Sequence, residues 1–279
     1  MWVKNIFVYP VKSLKGIHLE SSRITPRGLL NDRRYMITDA GFGHVTQREK
    51  ARLALIDASP ISGGIRLELP NGETKEWLHQ PSGRADRKKV TVWSSTVDAL
   101  IADQPTNAFL SEYLGKTVFF CYMPEDSYRQ INECFNRGNE IVSFADGYPL
   151  LAITTASLEN LNGRLEESVG VERFRPNIVI EGAKEFEEDS WARIRVGDSV
   201  FRVTKPCARC VVTTVDQSSG IRTGREPLKT LADFRLAKDI FPDRLDELDL
   251  NSNDVLFGTN LVPESGSNIK VGDPVEVLG

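Results

Sequence analysis

Short runs of β-branched and aromatic residues, bounded by Gly, Asp or Pro, recur along the chain. Val90-Thr-Val-Trp93, Asn177-Ile-Val-Ile180 and Val211-Val-Thr-Thr-Val215 are three of them, and each predicts a strand. Sheet is therefore expected to exceed helix in an α+β, β-rich fold. Ile194-Arg-Val-Gly-Asp-Ser-Val-Phe-Arg-Val203 resembles Ile269-Lys-Val-Gly-Asp-Pro-Val-Glu-Val-Leu278. Each reads as strand, Gly-Asp turn, strand, a pattern that suits a small closed or nearly closed barrel.

Helical spacing occurs in three places. Leu158, Leu161, Leu165 and Val169 follow Thr154 and Thr155, which can cap, and predict an amphipathic helix running to Gly170. A shorter helix is expected over Thr106 to Leu114, with Phe109, Leu110, Tyr113 and Leu114 inward and Gly115 as its stop. A third is expected over Leu228 to Leu236. All three read as packing elements. The stretch from Pro124 to Asp146 is polar and irregular, with Arg129, Asn132, Cys134, Asn136, Arg137 and Asn139, and reads as a linker or a loop over a site. Strand-rich sequence on both sides puts the expected boundary near residue 120, giving domains 1–120 and 121–279.

Composition narrows the function classes. The 279 residues are 40% hydrophobic and 27% charged, as in ordinary globular proteins. Lys and Arg number 35 against 39 Asp and Glu, a formal charge of −4. That excludes a generally basic binder of nucleic-acid polymers and leaves room for a local basic pocket. No apolar stretch approaches the roughly 20 residues of a membrane helix. The start is interrupted too soon by Pro10 and Lys12 for a signal peptide, so the expected location is cytoplasmic, with no membrane partner. Four cysteines are too few for a disulfide scaffold; Cys121 and Cys134 read as incidental thiols.

The sharpest local feature is Lys205-Pro-Cys207-Ala-Arg-Cys210. Zinc would need a second Cys or His pair, whereas His18, His44 and His79 are isolated. A thioredoxin-type pair would open a helix, whereas Val211 to Val215 is expected to continue as strand. Along a strand, side chains three apart point to opposite faces, so Cys207 or Cys210 can be a ligand without the other. A thiolate suits a soft or high-valent metal, and Arg209 favours the ionised form. A buried structural cysteine is the alternative reading.

Basic residues recur in three further segments: Lys12 with Ser13 ahead of Gly16, Arg33 in Asn31-Asp-Arg-Arg-Tyr35, and Arg175 two residues before Asn177. In extended chain Arg175 and Asn177 share a face, with Pro176 fixing the backbone between them. Such groups can meet a phosphate or a planar heterocycle. A single Lys or Arg on a strand is usually just solvated. Together with one ligand-type cysteine, these residues suggest a phosphorylated organic cofactor with a metal.

At these residues the sequence resembles the MOSC superfamily, and within it the amidoxime-reducing-component and YcbX-type proteins. The matching stretches include Tyr9 to Gly16, Gly28 to Arg34, Phe144 to Leu150, Phe174 to Val179, Asp189 to Trp191, Cys207 to Asp216, Glu226 to Leu231, Phe257 to Asn260 and Val271 to Pro274. The resemblance implies an N-terminal β-barrel-like subdomain and a C-terminal MOSC barrel with flanking helices, with molybdopterin held between them. It implies Cys210 as molybdenum ligand and catalytic residue. It assigns cofactor contacts to Lys12, Ser13, Arg33, Arg175, Asn177 and Arg209, and further to Gly147, Tyr148 and Asn260. Ala208 stands where relatives often carry Ser.

The activity implied is reduction, in a detoxifying role, of N-hydroxylated small molecules: amidoximes, hydroxamic acids and N-hydroxylated base analogues. Many YcbX-type proteins continue into a ferredoxin-like domain, whereas this sequence stops at Gly279. The expectation is no zinc or iron–sulfur cluster in the chain, with electrons from a separate donor protein, either a flavin reductase or an iron–sulfur or haem carrier. No carboxylate or histidine stands out as the obligatory proton donor; Asp216 is a candidate. Two alternatives stay open: a non-catalytic module carrying the cofactor or activated sulfur on Cys210, and a zinc or dithiol redox protein.

Overall fold

The computed structural model describes residues 1–79, 86–222 and 224–278. Strand outweighs helix, as the run pattern predicts. Eight strands make the largest sheet, in the order Val275–Val277, Arg193–Val196, Ser199–Arg209, Val255–Ser265, Leu150–Thr154, Ile178–Glu181, Trp2–Val8, Ile17–Leu19. Tyr35–Thr38, Phe119–Tyr122, Ser95–Ile101 and Arg87–Val92 form a four-stranded sheet. Asp57–Ile61, Gly64–Glu68 and Thr74–Leu78 form one of two three-stranded sheets.

No single cut in the sequence separates these sheets. The first strand, Trp2–Val8, pairs with Ile178–Glu181, and its Val3, Ile6 and Val8 are buried with Leu150, Ile178, Phe201 and Leu261. Past Pro10 the chain crosses to a second core, where Val11 and Leu14 pack with Tyr35, Leu53, Leu110 and Phe120. The strand Phe119–Tyr122, which contains residue 120, lies inside the four-stranded sheet, between Tyr35–Thr38 and Ser95–Ile101. The crossing between the two cores positions the site described below.

Helix ends follow local chemistry. The helix expected over Thr106 to Leu114 spans Gln104–Leu114: the Asp103 carboxylate accepts from the Thr106 N–H, and Gly115 takes the left-handed cap conformation at φ 65°. The helix expected to reach Gly170 instead covers Thr155–Asn162 and stops at Gly163. The Asn162 side chain accepts from the Val169 N–H and donates to the Val169 carbonyl, closing a loop in place of further helical turns. The third expected helix is a short one, Leu228–Ala232, followed by a separate turn at Ala237–Ile240.

The first Gly-Asp segment forms the expected hairpin, Arg193–Val196 against Ser199–Arg209. The second does not. Asn268–Lys270 pairs with Ser21–Thr25, while Val275–Val277 pairs with Arg193–Val196. Its Gly-Asp turn is taken up by the N-terminus, where Gly272 donates to the Val3 carbonyl and Val3 donates to the Asp273 carbonyl. Among the described residues no helix is long and apolar enough to cross a membrane.

Candidate functional site

The strand expected over Val211 to Val215 is a 3₁₀ turn, Val211–Thr214, and the long strand before it ends at Arg209. Two causes are visible. Pro206 has no N–H for the ladder, and the register with the neighbouring strand shifts on both sides of it. Beyond Cys210, the Thr213 and Thr214 hydroxyls donate to the carbonyls of Cys210 and Val211, favouring the tight turn. The two-residue alternation is thereby lost. Cys207 and Cys210 both line one cleft.

That cleft also collects Lys12, Ser13, Arg33, Gly147, Tyr148, Arg175, Asn177, Arg209 and Asn260, so every cofactor contact expected from the sequence meets Cys210 there. Three of them, Ser13, Arg33 and Arg175, have positive φ values of 68°, 47° and 54°. Arg175 is thus not in the extended conformation that the spacing to Asn177 suggested. Non-glycine residues in this region carry strain that the surrounding contacts must offset, and such residues concentrate at functional sites.

Tyr9 organises two of the cleft's arginines. Both the Arg33 and the Arg175 guanidinium lie 4.2 Å from the centroid of its ring. Burial pushes its phenol up to about 12, against the pull of the two arginines. Gly16 is needed for this packing: a Cβ there would lie 2.5 Å from the Tyr9 ring. Arg33 also donates to the buried Asp32 carboxylate at 2.6 Å, to Asn177 Oδ1 at 3.0 Å and to the Arg175 carbonyl at 3.0 Å. Arg175 spends one nitrogen on the Leu14 carbonyl at 2.7 Å. Burial pushes its pKa down to about 10, Tyr9 opposing and Arg33 adding to the shift, so it stays cationic at neutral pH.

The segment from Pro124 to Asp146 reaches the cleft at its end. Arg129 donates to the carbonyls of Ser143, Ala145 and Asp146 at 2.6–2.8 Å and fixes the bend that brings Asp146 and Gly147 to the wall. Lys12 ion-pairs with Asp146 and donates to the Phe144 carbonyl. Burial lowers the Lys12 pKa, and Asp146 counters by charge and hydrogen bond.

Asp216, the proton-donor candidate expected from the sequence, lies outside the cleft lining. It accepts from Ser218, Ser219 and Arg173, contacts that hold its carboxyl well below the usual range and make it a loop anchor. Conversely, Arg48 lines the cleft unannounced by any motif, and its Nη2 lies 3.0 Å from Cys210 Sγ. Arg209 makes the matching contact to Cys207 Sγ at 3.0 Å.

The cleft has unused donors. Among the described residues, Arg175 Nη2, Arg209 Nε and the Tyr148 hydroxyl are buried without a hydrogen-bond partner, and such groups are costly unless something completes them. Burial raises the Tyr148 hydroxyl above the ordinary phenol range, so it remains an O–H donor at neutral pH. A Cβ at Gly147 would meet nothing within 4 Å. Among the described residues no three His, Cys, Asp or Glu side chains are grouped as metal ligands. A metal at Cys210 would therefore draw further donors from a bound molecule. Anionic, multidentate and sulfur-bearing groups such as a molybdopterin fit this set of one soft ligand, several cations and open donors.

Residues 1–117 match the MOSC N-terminal beta barrel domain and residues 139–276 match the MOSC domain. Mitochondrial amidoxime-reducing component 1 of Homo sapiens is 33% identical over 289 residues, covering 99% of this chain and 83% of that protein. Its Mus musculus counterpart is 33% identical over 99% and 82%. Molybdenum cofactor sulfurase of Oryza sativa subsp. japonica is 29% identical over 92% of this chain and 33% of its own length. The chain belongs to the MOSC family, with both its N-terminal beta barrel domain and its MOSC domain represented.

Proposed function

We propose that this chain is a molybdenum-cofactor-dependent reductase of N-hydroxylated compounds. The observation that carries the reading is the convergence of Cys210 with Lys12, Arg33, Arg175 and Arg209 on one cleft, where Arg175, Arg209 and Tyr148 each keep a buried donor with no partner among the described residues. The names of its relatives supply the reaction class: amidoxime-reducing components on one side, a molybdenum cofactor sulfurase on the other.

Bound there, the cofactor would supply two-electron chemistry that cleaves an N–O bond, consuming two electrons and two protons and releasing the N–H compound and water. The chain's own groups bind and orient. Cys210 offers a thiolate ligand. Lys12, Arg33, Arg175 and Arg209 offset phosphate and dithiolene charge, with Arg33 and Arg175 held in place by Tyr9. Ser13, Asn260 and the Tyr148 hydroxyl contribute neutral hydrogen bonds, and Gly147 leaves room for the bound molecule. Electrons come from a separate donor protein, in keeping with relatives named as components.

The test is metal analysis and pterin fluorescence on the purified chain, followed by benzamidoxime reduction with a chemical reductant. Turnover to benzamidine in proportion to molybdenum content is the expected result. A loaded chain inert toward amidoximes, hydroxamic acids and N-hydroxylated bases would favour a carrier of the cofactor or of sulfur on Cys210.

A further inference from the structure

Arg48 is fixed from several directions. Its Nη2 lies 3.0 Å from Cys210 Sγ, its guanidinium carbon lies 4.4 Å from the centroid of the Trp93 ring, and its carbonyl accepts from Arg222 at 2.8 Å. Trp93 is an unusual support. It occupies the first position of the two-residue turn joining Arg87–Val92 to Ser95–Ile101, with φ 55°, where glycine is favoured. Although 41% exposed, it is tied down. Its Nε1–H donates to Asp146 at 3.2 Å, and the His44 ring packs against it at 4.8 Å. A bulky aromatic at positive φ is costly, so these contacts must hold it there. Through Asp146 the same support reaches Lys12.

Building on the function proposed above, we propose that Arg48 and Trp93 form a positioning pair that sets the orientation and electron-donating strength of the Cys210 sulfur. A cationic N–H donor on a ligand sulfur withdraws electron density from the metal and favours its reduced state, as hydrogen bonds around metal sites do generally. Trp93 acts through Arg48, because a planar guanidinium can stack on an indole while donating from its edge.

The experiment compares loaded wild-type chain with Arg48→Gln, Trp93→Ala, Trp93→Phe and the Arg48→Gln/Trp93→Ala double variant. Molybdenum and pterin content, the midpoint potential of the bound molybdenum by EPR-monitored titration, and steady-state turnover are measured on each. Arg48→Gln should lower the potential and reduce kcat about tenfold with KM little changed. Trp93→Ala should reproduce part of both effects, and Trp93→Phe should stay near wild type. In the double variant, Trp93→Ala should add nothing to Arg48→Gln. An unchanged potential in Arg48→Gln, or additive losses in the double variant, would overturn the pair. Should Arg48→Gln not fold, the potential of Trp93→Ala against Trp93→Phe decides instead, and equal values reject the role. A wild-type chain that takes up neither molybdenum nor pterin would overturn the proposed function itself, a result distinct from a loaded wild type whose variants match it.

Discussion

Arg33 and Asn177, 144 positions apart, meet through a 3.0 Å hydrogen bond from the guanidinium to the amide oxygen. The same oxygen accepts from the Leu151 N–H at 3.2 Å, and the amide nitrogen donates to the Phe7 carbonyl at 3.1 Å. Asn177 is buried, and its amide is a strut joining three segments.

Truncating that strut should therefore destabilise the fold. Asn177→Ala removes the acceptor of a buried backbone N–H and of one Arg33 N–H, and should cost about 1–3 kcal/mol, read by urea unfolding. An unchanged unfolding midpoint would reject the structural role.

Arg175 should behave differently, because one of its nitrogens has no partner among the described residues. Arg175→Ala should lower pterin content sharply. Its backbone at φ 54° also predicts that Arg175→Gly is more stable than Arg175→Ala by about 1 kcal/mol, since glycine carries no penalty there. Both variants should be equally poor in cofactor. Pterin retained at the wild-type level in either would remove Arg175 from the site.

How far the sequence revealed this arrangement depended on the range of the contacts. The helix with Asp103 and Gly115 at its ends was legible because its start and stop are made by neighbours. Leu165 and Val169 misled because they still pack on the cluster that holds Leu161 and Phe174, so the apolar spacing persists after the helix has ended. The β-branched run after Cys210 misled for the opposite reason: two threonine hydroxyls override strand preference over a single turn. Arg48 and Trp93 carried no signal. Arg48 meets a cysteine 162 positions away, and a hairpin tip does not announce which loop it will cover. The basic residues of the cleft stood out as separated cationic segments beside a ligand-type cysteine, and the family resemblance then tied them to Cys210.

The two cysteines offer a sharper comparison now that both are known to line the cleft, each beside its own arginine. Cys210→Ala should abolish molybdenum binding and turnover. Cys207→Ala should keep at least partial metal content, because only Cys210 is expected to be a ligand. Elemental analysis of the two purified variants settles the point, and equal loss in both would sink the single-ligand assignment.

Acid should weaken the loop after the Cys210 turn. The Asp216 carboxylate is stabilised first by the Ser218 hydroxyl, then by the Ser219 N–H and hydroxyl and by the Arg173 charge, so its folded pKa lies below that of the unfolded chain. Such a group binds its proton less tightly when folded. Its contribution is complete above the ordinary carboxylate value, about pH 4, and is lost as pH falls through the lower folded value. Asp216→Asn should therefore cost about 1 kcal/mol at pH 7, a modest figure because solvent screens part of the interaction. The gap between wild type and variant should shrink as the medium is taken below about pH 3. Urea unfolding of both proteins at several pH values measures it, and a gap that stays constant or widens in acid would contradict the anchoring role of this carboxylate.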